Sequence, residues 1–369
     1  MKQEYAAIVH EALKESGINF VAYLPDDQIH DAQKLIAEDP SFITVGATNE
    51  AEAVSACAGA WLGGAKPALL IADSGFLVAT WPLASLSVSY GIPMLILIAH
   101  RGEVGDRANW RFITYKFTTE PILHALQIPY VRASEPKETK EVIMGAKLST
   151  FLWQHPVAVC FPAKCCATEE CPMTRYECLS LLAPLVKDDD LVVTTLGWVA
   201  GEWFDLRHKE SNLYQVNMGM CTPLCLGLAL VLPHRRVIAL ESDGSVLLNL
   251  GAMTTLANKR PPNLTVIVFD NQCYMATGGL PTATAGPTDL AGMANAAGIE
   301  SSYSVSSLKE FDHEARAAIQ RRGPSYIVAK VEAAGKRMST DMDGKEGKYR
   351  FVRYIEKSEG IKIIGTSAK

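Results

Sequence analysis

The sequence predicts an α/β protein of two doubly wound parallel-sheet domains in tandem, and three observations carry that expectation. The chain has 369 residues, more than a single hydrophobic core usually organises. Short β-branched, apolar runs alternate with longer helical patterns from end to end, as parallel strands and their crossover helices do. The runs also form two series that resemble each other in layout, with a polar, proline-bearing stretch between them.

Taken in order, the opening residues MKQEYAAIVHEALKESG predict a helix, because Tyr5, Ile8, Val9, Ala12 and Leu13 recur on one face. Lys, Glu and His interrupt every apolar stretch there, so the segment does not read as an export signal. Strands are expected at 18–24, 42–47, 68–72, 94–99, 128–133 and 157–161, and again at 191–196, 213–216, 236–242, 264–270, 301–305 and 325–331. Between the two series, PAKCCATEECPMTRYECLSLLAPLVKDDD has the composition of a domain junction. The expected division is a first domain at 1–168, a linker at 169–185 and a second domain at 186–369. Beyond residue 332 the chain turns charged and ends in a weakly strand-like IKIIG, which reads as a surface arm. No repeat of 20 to 50 residues appears, so the duplication is one of architecture.

Composition narrows the classes of function. Hydrophobic residues make up 48% and charged residues 20%, which excludes a disordered or fibrous chain. The net charge is -5, so no basic field exists to hold nucleic acid or an anionic membrane, and neither is an expected partner. The apolar runs fall short of the roughly 18 residues that cross a bilayer. Nine cysteines, an odd number in mostly buried-looking segments, suit reduced thiols in a cytoplasm. Cys160, Cys165, Cys166, Cys171 and Cys178 cluster, but their spacings are adjacent or four and more, unlike a zinc site. There is no GxxxxGK[ST], no GxGxxG after a strand, no HExxH and no GxSxG elbow, so the common NTPase, dehydrogenase, zinc-protease and hydrolase readings start without support.

One stretch, 236–279, concentrates chemistry. A buried strand ends in Asp243-Gly244-Ser245, a helix follows, and a second buried strand ends in Asp270-Asn271. Two oxygen-bearing side chains thereby reach the carboxyl ends of neighbouring strands, the edge where doubly wound sheets bind ligands and helix N-termini offer N–H groups to phosphate. A carboxylate, an amide oxygen and a loop carbonyl, completed by diphosphate oxygens and water, would give the oxygen octahedron that magnesium prefers. The same residues also suit two plain strand-end turns.

This stretch resembles the signature of thiamine diphosphate-dependent enzymes, in which GDG and NN bracket about thirty residues. Here it is written Ser242-Asp243-Gly244 and Asp270-Asn271, departing at the first position of each group. The resemblance implies Mg2+ held by Asp243, Asn271 and the Cys273 carbonyl, with the diphosphate at Gly244 and Ser245. Thr48-Asn49-Glu50-Ala51-Glu52-Ala53, followed by a small-residue helix, looks like the segment that carries the activating glutamate. Glu50 is the match, a carboxylate that would bond the pyrimidine ring and favour its reactive tautomer; Glu52 is the alternative, as a solvated helix charge. Asn217-Met218-Gly219-Met220 is similar to the place where such enzymes set an apolar side chain beneath the cofactor, although Met218 could equally fill the core. The resemblance also implies a cofactor between the N-terminal half of one chain and the C-terminal half of another, hence a homodimer or a dimer of dimers.

A two-domain order without a middle domain resembles the phosphonopyruvate and sulfopyruvate decarboxylases. Matching phrases are Val21 to Asp26, Ala72 to Gly75, His100 to Glu103, Thr119 to Ile122 and Thr277 to Thr282. The implied reaction is non-oxidative decarboxylation of a 2-oxo acid bearing a second anion, through an enamine, to the aldehyde and CO2. Its anion would be met by Arg101 and Lys116, with Ser74 beside it, while Arg107 and Arg111 read as solvated charges. Asp27 is a candidate proton donor or a helix cap, and His30 and His100 are further acid-base candidates. Asp73-Ser74-Gly75-Phe76-Leu77-Val78 stands where relatives read NSGLGN, which keeps open carboligation or another, less charged oxo acid. A catalytically inactive cofactor-binding or scaffold protein is the alternative of another class, and Glu50 argues against it.

Overall fold

A computed structural model describes residues 3–26, 29–100, 114–115, 117–133, 136–162, 173–275, 279–333, 335 and 343–364. The chain divides into two compact units, Met1–Ala167 with Thr277–Leu280, and Thr168–Ala276 with Pro281–Lys369. Each is an α/β layer structure on its own parallel sheet.

In the first unit the strands are β1 (Phe20–Tyr23), β2 (Ile43–Gly46), β3 (Pro67–Ala72), β4 (Leu95–His100), β5 (Tyr130–Arg132) and β6 (Val157–Pro162). They lie in the order β2-β1-β3-β4-β6-β5, and every pairing between them is parallel. The helices are α1 (Gln3–Glu15), α2 (His30–Glu38), α3 (Glu50–Leu62), α4 (Asp73–Pro82), α5 (Thr119–Ala125) and α6 (Pro136–Trp153), with one π-helical turn at Leu83–Val88 after α4. Strand side chains alternate between the two faces. Leu70, Leu95, Leu97, Val157 and Val159 meet Tyr5, Val9 and Leu13 of α1 on one face. Leu69, Ile71, Ile96, Ile98 and Ala158 meet Val54 and Cys57 of α3 on the other. Burial on both faces is why these strands read as nearly unbroken apolar runs.

In the second unit the strands are β7 (Leu191–Thr195), β8 (Asn212–Val216), β9 (Val237–Ser242), β10 (Leu264–Asp270), β11 (Ser301–Val305) and β12 (Ser325–Lys330), in the parallel order β11-β12-β10-β9-β7-β8. Its helices are α7 (Arg175–Leu182), α8 (Trp198–Arg207), α9 (Cys221–Val231), α10 (Asp243–Leu248), α11 (Gly251–Lys259), α12 (Leu290–Ala296), α13 (Leu308–Gln320) and α14 (Gly344–Glu359). In each sheet the winding first changes direction between β1 and β3, or between β7 and β9, and such switch points open a crevice at the carboxyl edge. Each of the twelve expected strands forms, with ends shifted by one or two residues. Among the described residues no helix is long and apolar enough to cross a membrane.

The second half of the junction is helical, and the tail differs from expectation. Residues 175–182 form α7, entered through a Thr174–Glu177 capping box, and bury Cys178, Leu179 and Leu182 in the second unit's core. The charged tail is no surface arm: Asp343 caps the N–H groups of Lys345 and Glu346, and α14 buries Phe351 and Ile355 in that unit's other hydrophobic face before Gly360 ends it at φ 67°. The terminal Ile361 to Ile364 is not a strand; the N–H groups of Ile363 and Ile364 both donate to Glu356 Oε1 at 2.7 Å. Because α14 is part of the core, Phe351→Ala should lower the unfolding free energy by about 3 kcal/mol in urea titration, whereas an arm would show no change.

Candidate active site

The carboxyl edge of the second unit gathers most of the residues that the signature singles out. β9 and β10 are neighbours, with Ser242 opposite Phe269, so Asp243 and Asn271 leave the same edge side by side. Asp243 is the first residue of α10 and Ser242 its cap, the Ser242 hydroxyl accepting from the Ser245 N–H at 3.4 Å. Gly244 is required here: a Cβ on it would fall 2.6 Å from the Tyr274 ring and 3.4 Å from the Met218 methyl. Met218 thus approaches the Asp243–Gly244 turn. Gly219, at φ 77°, donates its N–H to Ser245 Oγ at 3.0 Å, and Ser245 also accepts from Thr195 at 3.1 Å. The Ser245 hydroxyl therefore ties β7 and the 217–220 turn to α10. Met220 is exposed and precedes α9. The Cys273 N–H faces Asn271 Oδ1 at 3.5 Å, and Cys273 pairs with Pro281 in an isolated bridge that folds the loop back.

Asp243 is buried, and burial pushes its carboxyl up to about 7, with the nearby Asp270 charge adding to the rise. Thr282 donates to Asp243 Oδ2 at 2.6 Å, and Thr284 stands between the two acids, 2.7 Å from Asp270 Oδ1 and 3.3 Å from Asp243 Oδ2. Asp270, the residue that departs from the NN pair, meets Lys330 Nζ through its other oxygen at 2.5 Å. Lys330 is its register partner on β12, so the added negative charge has a cation built in beside it. Thr284 and Lys330 carry no local signal in the sequence, since both reach the site from distant segments. A carboxylate held protonated to about pH 7 beside an amide oxygen is a donor set that a divalent cation would suit. Among the described residues no cluster of three or more His, Cys, Asp or Glu forms a metal site.

The first unit separates the two glutamates of the 48–53 segment. Asn49 caps α3 by accepting the Glu52 N–H at 2.9 Å, and Glu52 returns to the Thr48 N–H and hydroxyl, both at 2.8 Å. Glu52 is exposed and occupied by this cap. Glu50, one residue after the cap, is only 5% exposed; its Oε2 has no hydrogen-bond partner among the described residues. Burial pushes its carboxyl up to about 7. Gly75 makes the space: a Cβ there would lie 1.8 Å from Glu50 Oε1. Ser74 is half-buried in the first turn of α4. Asp27, Arg101, Arg107, Arg111, Lys116, Cys165, Cys166 and Cys171 lie outside the described residues.

Comparison with known proteins places this geometry in context. Residues 201–329 match the model for the thiamine pyrophosphate enzyme C-terminal TPP binding domain. The chain is 30% identical to a sulfopyruvate decarboxylase of Methanosarcina acetivorans over 81% of its own length and 84% of the relative's. It is 26% identical to a phosphonopyruvate decarboxylase of Streptomyces viridochromogenes over 87% of both. The sulfopyruvate decarboxylase of Methanocaldococcus jannaschii matches in two pieces: its alpha subunit at 34% identity over 42% of this chain and 91% of the subunit, its beta subunit at 29% over 50% and 98%.

Two outcomes follow from the electrostatics. The Glu50 carboxyl holds its proton to about 7 when folded against an ordinary 4.5, so between those values the folded protein binds more protons than the unfolded chain. Stability of the cofactor-free protein should therefore fall as pH rises through that window, by up to about 3 kcal/mol from this group, and Glu50→Gln should flatten the slope in urea titrations at pH 5 and 8. Lys330→Met leaves the fully buried Asp270 without its cation and should cost on the order of 2 kcal/mol, most of it recovered by adding Asp270→Asn.

Proposed function

This chain belongs to the thiamine diphosphate-dependent sulfopyruvate and phosphonopyruvate decarboxylase family, and we propose that it removes CO2 from a 2-oxo acid carrying a second anionic group, releasing the aldehyde. It is a thiamine diphosphate-dependent 2-oxo acid decarboxylase. The observation that carries the reading is the buried Glu50, whose Oε2 is without a partner where the resemblance puts the pyrimidine. A scaffold protein would have no use for a carboxylate held at that cost in solvation.

When bound, thiamine diphosphate supplies an electron sink for the bond that breaks as CO2 leaves. Glu50 would share a proton with the pyrimidine ring, and its raised pKa near 7 suits it to hold and release that proton at working pH. Gly75 keeps the space in which the carboxyl sits. The Gly244 and Ser245 backbone would take the diphosphate, with Met218 beneath the cofactor and Gly219 and Met220 framing that turn. Asp243, Asn271 and the Cys273 carbonyl would hold Mg2+, which would supply a positive charge beside the diphosphate. Arg101 and Lys116 are assigned to the substrate's second anion and Ser74 to its neighbourhood, while Asp27 stays a candidate for proton donation or for a helix cap.

The active unit is proposed to be a homodimer, or a dimer of dimers, with each site shared between the N-terminal half of one protomer and the C-terminal half of its partner. The relative made of separate alpha and beta subunits supports a site that needs both halves. A cytoplasmic location fits the free thiols of Cys57, Cys160, Cys178, Cys221 and Cys225, all buried. A second reading, a less charged oxo acid or its joining to another carbonyl compound, is favoured by the carboxylate of Asp73 at the same strand edge as Glu50.

Calorimetric titration should show thiamine diphosphate binding that depends on Mg2+ and is lost in Asp243→Ala; retention of full affinity by that variant would remove the metal assignment. In parallel assays of CO2 release, phosphonopyruvate or sulfopyruvate should be turned over in preference to pyruvate, and activity on pyruvate alone would favour the second reading. Glu50→Gln should lower kcat by about 10²-fold or more while the cofactor still binds.

A further inference from the structure

The first unit holds a second set of ionisable groups that the assignments above leave unused. Asp73 follows β3 and His100 ends β4, paired strands whose register places Ala72 opposite Ala99. His100 Nδ1 faces Asp73 Oδ2 at 3.5 Å, and its Nε2 faces Glu120 Oε1, on α5, also at 3.5 Å. Neither imidazole nitrogen has a hydrogen-bond partner among the described residues, and each has one carboxylate oxygen 3.5 Å away. Side-chain exposure falls along the line, from 20% at Glu120 to 4% at His100 and 0% at Asp73. The inner end lies two residues from Gly75, against which Glu50 is packed. The outer end is anchored from β5, where Arg132 pairs with Glu120 and the Tyr130 hydroxyl donates to it at 3.2 Å. Among the described residues the remaining ionisable neighbour is Cys160 on β6, whose thiol burial pushes up to about 12, so it stays neutral. Among the described residues these groups form no metal site.

We propose that Glu120, His100 and Asp73 are a proton relay for the reaction, carrying one proton from solvent to the edge on which Glu50 stands; this rests on the decarboxylase reading. The stoichiometry requires such a proton. When CO2 leaves, the bonding pair stays on the former carbonyl carbon, and one proton must join that carbon to complete the aldehyde. Asp73 gives up that proton, His100 replaces it from Nδ1, Glu120 restores His100 at Nε2, and solvent reprotonates Glu120, so one proton is taken up per CO2 released. Gaps of 3.5 Å close by small rotations, as acid-base contacts commonly do once substrate binds. The Asp73 carboxylate, found where relatives have an amide, is what makes the inner step possible, since an amide carries no transferable proton.

The test separates carbon dioxide release from protonation. In His100→Gln, first-turnover CO2 release should stay within about threefold of the parent, while aldehyde formation falls by about 10²-fold. With dichlorophenolindophenol present as a two-electron acceptor, the carboxylic acid should replace the aldehyde as product. Asp73→Asn restores the amide of the relatives and should fold; its acid-to-aldehyde ratio should rise by roughly tenfold. Affinity for thiamine diphosphate with Mg2+, measured by calorimetry, should be unchanged in both. An unchanged acid-to-aldehyde ratio in Asp73→Asn overturns the relay, even if His100→Gln fails to fold. Faster turnover of phosphonopyruvate or sulfopyruvate by Asp73→Asn with full aldehyde yield also overturns it, and makes Asp73 a specificity residue. Parent protein that releases no CO2 from any of these acids sinks the decarboxylase reading and the relay with it; the other outcomes sink the relay alone.

Discussion

The close approach of Glu50 to the backbone of Gly75 governs the first unit's site. A carboxyl group withdrawn from water is stable only if it is protonated, paired or bonded, and here one oxygen, Glu50 Oε2, has no hydrogen-bond partner among the described residues. The sheet makes the arrangement possible. β2 delivers Asn49 to cap α3, the cap fixes Glu50 in the first helical turn, and β3 brings Gly75 to the same edge with no side chain in the way. Any residue larger than glycine at 75 would push the carboxyl out of its place, so packing and chemistry impose a single requirement at this point.

The second unit solves a related problem differently. Asp243 is as deeply buried as Glu50, but two threonine hydroxyls reach it from the returning loop, and Thr284 also binds Asp270. Two acids on adjacent strands would repel one another. Lys330 on the next strand offsets the second, leaving Asp243 as the carboxylate whose charge a metal would balance. The division of labour is set by sheet order, because only a residue on β12 can stand beside the end of β10 on the side away from β9.

What could be read in advance was whatever is written locally. The central strands were legible because burial on both faces makes each a continuous apolar run, whereas the edge strands β2, β5, β8 and β11 are partly exposed and were read from their place in the alternation of strands and helices. Glu50 was singled out by its resemblance to the activating glutamate and the small-residue helix after it; the structure buries it and gives Glu52 a capping role. Helix α14 was obscured because Phe351 and Ile355 are its only fully buried large apolar side chains in four turns of charged sequence, too thin a stripe for periodicity to expose. Ser245 resembled a phosphate contact, yet its hydroxyl holds Gly219, a bond across 26 residues that no local pattern announces. Thr284 and Lys330 escaped for the same reason: their partners lie 41 and 60 residues away.

Three polar departures from the family signature, at Ser242, Asp270 and Asp73, share a physical explanation, which does not extend to the apolar Leu77 and Val78. Ser242 replaces a glycine at a position with φ of -118°, where no glycine is needed, and its hydroxyl caps the helix that follows. Asp270 replaces an amide and has Lys330 opposite it. Asp73 replaces another amide and faces His100. A site drifting without selection for its chemistry would accumulate buried charges lacking partners, each costing several kcal/mol, or would lose those charges to apolar residues. Here each altered residue meets a group able to bond or balance it, on a neighbouring strand or within the same turn. That pattern is what a working active site re-tuned for its own substrate requires, and it is difficult to reconcile with a scaffold that has lost its function.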